Sequence, residues 1–380
     1  MLYLDYCATT PLHEEVANTI ADVMRKHYGN PSSLHHLGLE AERLVTKARE
    51  VIAEALHCRP GEIVFTSGGT ESNNLAVKGA ALQYRERGKH LITSGIEHAS
   101  VYESFKQLES LGFEVTYLRA DETGTIRAED IRQALREDTI LVSLMHVNNE
   151  TGRIQPTAQI GKMLRDHPRV LFHVDAVQSI GKLDMSPQGL GADLLSVSAH
   201  KIHGPKGAGV LYVRDGVHLT PIVTGGGQES GRRSGTENVP LVVGMAKAVR
   251  LATEHQPMNT AKLYKLRERM VKGLEAIPGI RLTGSRYPGD MAPHVIHLTL
   301  DGLRAEVAVH AMEERGFLIS TRSACASGEI SPSRVLLAMG MDPERASSGL
   351  RISYPADLKP EDADRFVRSL AETTKRLARA

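Results

Sequence analysis

A regular exchange of two periodicities constrains this chain most. Short apolar runs of β type alternate with amphipathic stretches of helical period up to about residue 254. Ile63-Val64-Phe65 precedes a predicted helix over 70–87, and His90-Leu91-Ile92-Thr93 precedes another near 101–111, followed by Glu114-Val115-Thr116-Tyr117-Leu118. Residues 140–145 are apolar almost without alternation, the pattern of a strand covered on both faces. Further strands are predicted at 170–174, 194–197 and 209–213. Strand–helix alternation of this kind predicts an α/β architecture, a mostly parallel sheet flanked by helices. Ligands of such sheets sit beyond the carboxyl ends of the strands, so polar residues there are the ones to read for chemistry.

After a helical stretch at 239–252 the pattern changes. Residues 254–260 are polar and include Pro257, which predicts a boundary. Strands near 295–300 and 350–353 and helices near 304–315 and 360–379 then predict a smaller α+β domain, completed by the first dozen residues. The expected division is a large domain, 16–254, and a small domain made of 1–15 and 255–380. A chain of 380 residues is long enough to bury a large core.

Composition excludes more than it assigns. A formal net charge of +1 gives no global attraction for nucleic acid or a membrane surface, and 4% aromatic residues with no Trp leave little to stack on bases. No apolar run reaches the length of a membrane span, and the first residues lack a basic segment followed by an apolar one. The expectation is a cytoplasmic protein without membrane or direct nucleic-acid partners. Cys7, Cys58 and Cys325 are too few and too scattered for a disulfide framework or a zinc site.

Several strings carry chemistry. Ser196-Val197-Ser198-Ala199-His200-Lys201 runs a strand into a polar turn, and Gly204, Pro205 and Gly207 follow closely. An isolated loop lysine is ordinarily just solvated. A Schiff-base lysine needs access to an aldehyde and neighbours that hold a phosphate, and Ser198 and His200 suit the second task. Asp175 closes the strand ending Phe172-His173-Val174, where an unpaired carboxylate is costly to ionise. A pyridinium nitrogen is the kind of partner that keeps it charged, although Asp175 also suits a helix cap. Gln178 follows, within reach of a ring oxygen. Thr66-Ser67-Gly68-Gly69-Thr70 is a glycine turn between a strand and a helix, a phosphate cradle in which the Thr70 hydroxyl is an added donor. Glycine turns are common, and this one matches neither the dinucleotide nor the nucleoside-triphosphate pattern. His98 suits stacking on a ring and moving protons, and Asn149 sits in an Asn-rich turn after a strand.

These strings occur in order with Tyr3-Leu4-Asp5-Tyr6-Cys7-Ala8-Thr9-Thr10-Pro11, His146–Gly152, Arg233-Ser234-Gly235-Thr236 and Ser323-Ala324-Cys325. Together they strongly resemble the cysteine desulfurases, within the class V aminotransferase group of fold-type-I pyridoxal-phosphate enzymes, across essentially the whole chain. The resemblance implies pyridoxal 5'-phosphate on Lys201, with Gly69, Thr70, Ser198 and His200 at the phosphate. It places Asp175 at the pyridine nitrogen, Gln178 and Asn149 at the ring oxygen, and His98 over the ring. Thr236 matches a residue that reaches the phosphate of a neighbouring subunit, so a homodimer is expected. Arg351 matches the arginine that grips the substrate carboxylate, a task suited to its planar fork, although an arginine next to a strand suits a structural salt bridge equally.

Cys325 is the nucleophile by the same resemblance: it takes sulfur from L-cysteine as a persulfide, and L-alanine is released. Its segment, 320–332, is small and polar with little capacity to pack, which predicts a mobile exposed loop. Its longer spacing is typical of the subgroup that hands persulfide to an iron–sulfur scaffold or sulfur carrier. No resident metal is expected, although Cys325 could ligate a transient iron–sulfur cluster. Two residues depart from the family pattern: Cys7 replaces an Ala or Ser, and Arg322 replaces a Gly before Ser-Ala-Cys. A selenocysteine lyase shares the whole site, a conventional class V aminotransferase would have no use for Cys325, and a non-catalytic assembly subunit would have lost part of the cofactor set.

Overall fold

A computed structural model describes residues 1–321 and 332–377. Its central element is a seven-stranded sheet in the order Ile63–Thr66, Gly209–Val213, Leu194–Ser198, Leu171–Asp175, Thr139–Met145, His90–Ser94 and Glu114–Leu118. The last five are mutually parallel, and Gly209–Val213 is antiparallel to both of its neighbours. Because that one strand is reversed, Ile63–Thr66 again points the same way as Leu194–Ser198. The carboxyl ends of six strands therefore gather at one edge. The Thr139–Met145, Leu171–Asp175 and Leu194–Ser198 strands are buried at every residue, as continuous apolar runs in a sheet covered on both faces require.

Helices cover both faces and form two cores. Gly69–Gln83 and Ala99–Ser110 pack on one side with Leu75, Val101, Phe105, Leu141 and Leu211. The other side holds His36–Ala55 and Val239–Glu254, with Ile52, Val142, Val174, Val197 and Met245 buried between them. Glu14–Lys26 lies against Val239–Glu254, where a Cβ on Gly244 would come within 2.5 Å of the Ile20 side chain.

A third core gathers Leu4, Met270, Leu298, Phe317, Ile352 and Phe366 around the antiparallel sheet Gly349–Ser353, Val295–Leu300 and Ile280–Leu282. Leu2–Tyr3 pairs in parallel with Phe317–Leu318, so the first residues join this core. The polar run at 254–260, where a boundary is expected, spans the end of one helix and the first turn of the next, Gln256–Glu275. Pro257 is tolerated there because first-turn N–H groups have no helical partner to lose. The break is His255 alone, between two helices.

Candidate active site

The carboxyl edge of the large sheet encloses a cavity of about 380 Å³. Gly69, Thr70, His98, Asn149, Asp175, Gln178, Ser198, His200, Lys201 and Arg351 all line it. The strings read separately along the sequence thus meet at one place. Thr236 is exposed and does not line this cavity. Cys325 and Arg322 lie outside the described residues.

Asp175 is the last residue of its strand and is 5% exposed. Its Oδ2 accepts from Asn73 Nδ2 at 2.8 Å and its Oδ1 from the Val177 N–H at 3.0 Å. The local turn and the cofactor-facing role are therefore compatible. Asn73 also donates to Ser100 Oγ at 2.9 Å, and Ser100 Oγ meets His98 Nδ1 at 2.8 Å. His98 caps the helix Ala99–Ser110. The cap and the chain of polar contacts fix the ring's orientation from behind.

The glycine turn is built by steric permission. Gly68 has φ +149°, and Gly209 lies between Thr66 and Ser198 in the sheet. A Cβ on Gly209 would come within 2.5 Å of Gly68 Cα. A Cβ on Gly69 would sit 2.9 Å from Val177 Cγ2. The turn lies tight on the sheet with its helix N-terminus open to the cavity, an arrangement that suits an anion.

Lys201 ends a single 3₁₀ turn, Ala199–Lys201. Its Nζ donates to the carbonyl oxygens of Cys7 and Ala8, at 2.5 and 2.8 Å. His200 Nδ1 meets Thr9 Oγ1 at 3.2 Å. Burial, aided by Lys201, Lys206 and Lys182, pulls His200 down to about 4, so it is neutral at pH 7. Gln178 Nε2 donates to the same Cys7 oxygen at 3.1 Å. Cys7 is buried on the cavity wall and its N–H donates to Ser353 Oγ at 2.9 Å. The extra thiol noted in the sequence is thus at the site, but its carbonyl oxygen makes the contacts.

Arg351 is 1% exposed on the cavity-facing side of the small sheet. Its Nη2 donates to Asp5 Oδ1 at 2.7 Å and its Nη1 to the Asn149 carbonyl at 2.9 Å. The structural salt bridge exists. With the Asn149 contact it uses two of the five donors of the fork, and Nε has no partner among the described residues. Among the described residues the oxygens Gln178 Oε1 and Asn149 Oδ1 are also buried without a partner.

Sequence reading missed two groups. Glu97 is fully buried, accepts from Ser94 Oγ at 2.5 Å and has Asp175 nearby; burial pushes it up to about 8. Ser333 Oγ donates to Glu150 Oε2 at 2.5 Å, joining the turn bearing Asn149 to the segment after residue 331. Glu97 had a signal, a charge in the short turn after a buried strand. The Ser333 pairing had none.

The sequence matches the model of the family described as Aminotransferase class-V over residues 2–366. It is 44% identical over 373 residues to a NifS/IcsS protein homolog of Lactobacillus delbrueckii subsp. bulgaricus, covering 98% of this chain and 97% of that one. It is 42% identical over 376 residues to a cysteine desulfurase IscS of Methanosarcina thermophila, covering 99% and 92%. A solved NifS-like protein superposes with a TM-score of 0.91 at 37% identity, covering 98% and 99%. SspA, solved in complex with cysteine, superposes with a TM-score of 0.81 at 39% identity, covering 94% and 99%.

Proposed function

The chain belongs to the class-V aminotransferase family, and we infer that it is a cysteine desulfurase, which takes sulfur from L-cysteine, releases L-alanine and holds the sulfur for a protein acceptor. The carrying observation is that Lys201, Asp175, Gln178, His98 and Arg351 line one cavity. Full-length relatives named cysteine desulfurase support the choice of reaction, and the neighbour solved with cysteine supports the substrate.

The donor set fits pyridoxal 5'-phosphate. Two buried amide oxygens, of Gln178 and Asn149, have no polar partner among the described residues, and a hydroxyl-bearing ring could donate to one of them. The open turn at Gly69 and Thr70 suits the phosphate, with Ser198 and the neutral His200 beside it. Asp175 would meet the pyridine nitrogen, its charge already steadied by two N–H donors. When bound, that cofactor supplies an electron sink for the substrate's α-carbon. Lys201 Nζ is the amine that would hold its aldehyde.

Arg351 directs the substrate by its carboxylate, with Asp5 and Asn149 holding the fork in place. His98, engaged through Nδ1 with Ser100, keeps Nε2 for stacking and proton transfer, and Lys201 moves the proton at the α-carbon. Cys325, as thiolate, attacks the substrate sulfur: an S–S bond forms, the C–S bond breaks, and its electron pair stays with the carbon that becomes alanine. The persulfide then passes to an iron–sulfur scaffold, a tRNA-thiolating protein or another sulfur carrier. Thr236, away from its own chain's cavity, serves the phosphate of a second copy in a homodimer. The protein works in the cytoplasm, as 16–254 and 1–15 with 255–380. Among the described residues no helix is long and apolar enough to cross a membrane.

Alanine release decides the reaction. Cys325→Ala should abolish release of alanine with sulfur transfer, and unchanged turnover on cysteine sinks the nucleophile. Purified protein should be yellow, and a Lys201→Ala protein that kept the same visible absorbance would remove the cofactor assignment.

A further inference from the structure

Lys182 lies beyond the Asp175 strand, in the turn after Gln178. Its Nζ donates to the Lys201 main-chain oxygen at 2.9 Å. Its own carbonyl accepts from Thr260 Oγ1 at 2.8 Å, on the helix Gln256–Glu275. The Lys201 turn is therefore suspended from two sides. The N-terminal segment receives its side chain, through the Cys7 and Ala8 carbonyls, and Lys182 holds its main chain.

The charges around Lys182 oppose one another. Cys7 favours its charge and the Lys201 amine disfavours it, and Lys182 acts in turn on His200, His203 and His294, all of which burial holds low. Asp175, His98, Lys206 and Arg351 line the same cavity as Lys201. Burial, with Lys201 adding to it, pulls Lys182 down to about 8. Two amines sharing a poorly hydrated region cannot both hold protons cheaply, so their titrations are coupled.

We propose that Lys182 is a positioning residue for the Lys201 amine: its hydrogen bond fixes the Lys201 turn, and its positive charge loosens the proton on Lys201. More of that amine is then free to combine with a carbonyl at neutral pH. The proposal rests on the reading that Lys201 carries the cofactor.

Competitive acetylation tests it on the full chain, stripped of bound aldehyde with hydroxylamine and read lysine by lysine by peptide mass. In Lys182→Gln, which keeps a donor and loses the charge, the Lys201 midpoint should rise by about one pH unit. Its acetylation at pH 7 should slow on the order of tenfold. Lys182→Arg should restore the wild-type midpoint. In the wild-type chain Lys182 itself should titrate well below the surface lysines, a result that stands even where the glutamine variant does not fold. An unchanged Lys201 midpoint in Lys182→Gln, or a wild-type Lys182 that labels like a surface lysine, overturns the proposal. Pyridoxal 5'-phosphate added before labelling should protect Lys201. If it does not, while the midpoints move as stated, the cofactor reading fails and the coupling between the two amines survives.

Discussion

Replacing Arg351 by Lys separates gripping a carboxylate from merely placing a positive charge beside it. Arg351 is buried, gives one N–H to Asp5 and one to Asn149, and its Nε has no partner among the described residues. Three of its five donors remain for a substrate carboxylate, enough for two parallel bonds. Lysine still neutralises Asp5 but presents its donors from a single point, so it can satisfy either Asp5 or the substrate well, and not both. The loss is one charge-assisted hydrogen bond, worth about 1.5–3 kcal/mol. At 1.4 kcal/mol per factor of ten, kcat/KM for cysteine should fall about 10- to 150-fold. Most of the fall should appear in KM, because the carboxylate does not change during the reaction. Alanine formation across a range of cysteine concentrations measures both constants, and a urea melt confirms that the fold survives. A kcat/KM within threefold of wild type would refute the argument: Arg351 would then be only the structural partner of Asp5.

Three further perturbations test the frame. Gly209→Ala puts a methyl group within 2.5 Å of Gly68 Cα, where only backbone can yield; it should cost about 1–3 kcal/mol in urea unfolding and weaken cofactor retention, and unchanged values of both would contradict the packing of the turn. Glu97, pushed up to about 8, keeps its proton in the folded state while the unfolded chain loses it near 4.5. Its stabilising contribution is complete below about 4.5 and lost as pH rises through 8. Glu97→Gln should therefore flatten the decline in unfolding free energy between pH 5 and 8, and parallel curves would count against it. His173, pulled down to about 3 between Ser143 and Ser196 hydroxyls, is neutral when folded. Stability should fall below the unfolded value of about 6.5, by roughly 2 kcal/mol at pH 5 from this residue, and His173→Asn should remove that share of the acid sensitivity.

The fold and most of the site were legible because both depend on short-range pattern. Residues 140–145 announced a doubly covered strand, and Asp175 and Ser198 end, and Asn149 follows, strands whose ends a parallel sheet must bring together. The contacts that complete the site were not legible because they join residues far apart. No periodicity links Asp5 to Arg351, Lys182 to the Lys201 carbonyl, or Ser333 to Glu150. Pro257 falls in a helix first turn, where it costs no hydrogen bond, and sequence alone did not say which turn it occupied. Cys7 drew notice for its thiol, while its carbonyl, which any residue possesses, makes the contacts with Lys201 and Gln178.

The path of the first ten residues has a consequence for biosynthesis. Leu4 and Tyr6 pair with Ser353, Asp5 holds Arg351, Cys7 and Ala8 receive Lys201, and Thr10 takes the His200 carbonyl. This segment is translated long before its partners on the Gly349–Ser353 strand. The large sheet can form on a growing chain, but the wall that steadies Lys201 and Arg351 waits for that distant strand. The nascent protein must keep its N-terminus unpaired in the meantime, and its competence to bind cofactor should appear abruptly, only once residue 353 is out of the exit tunnel.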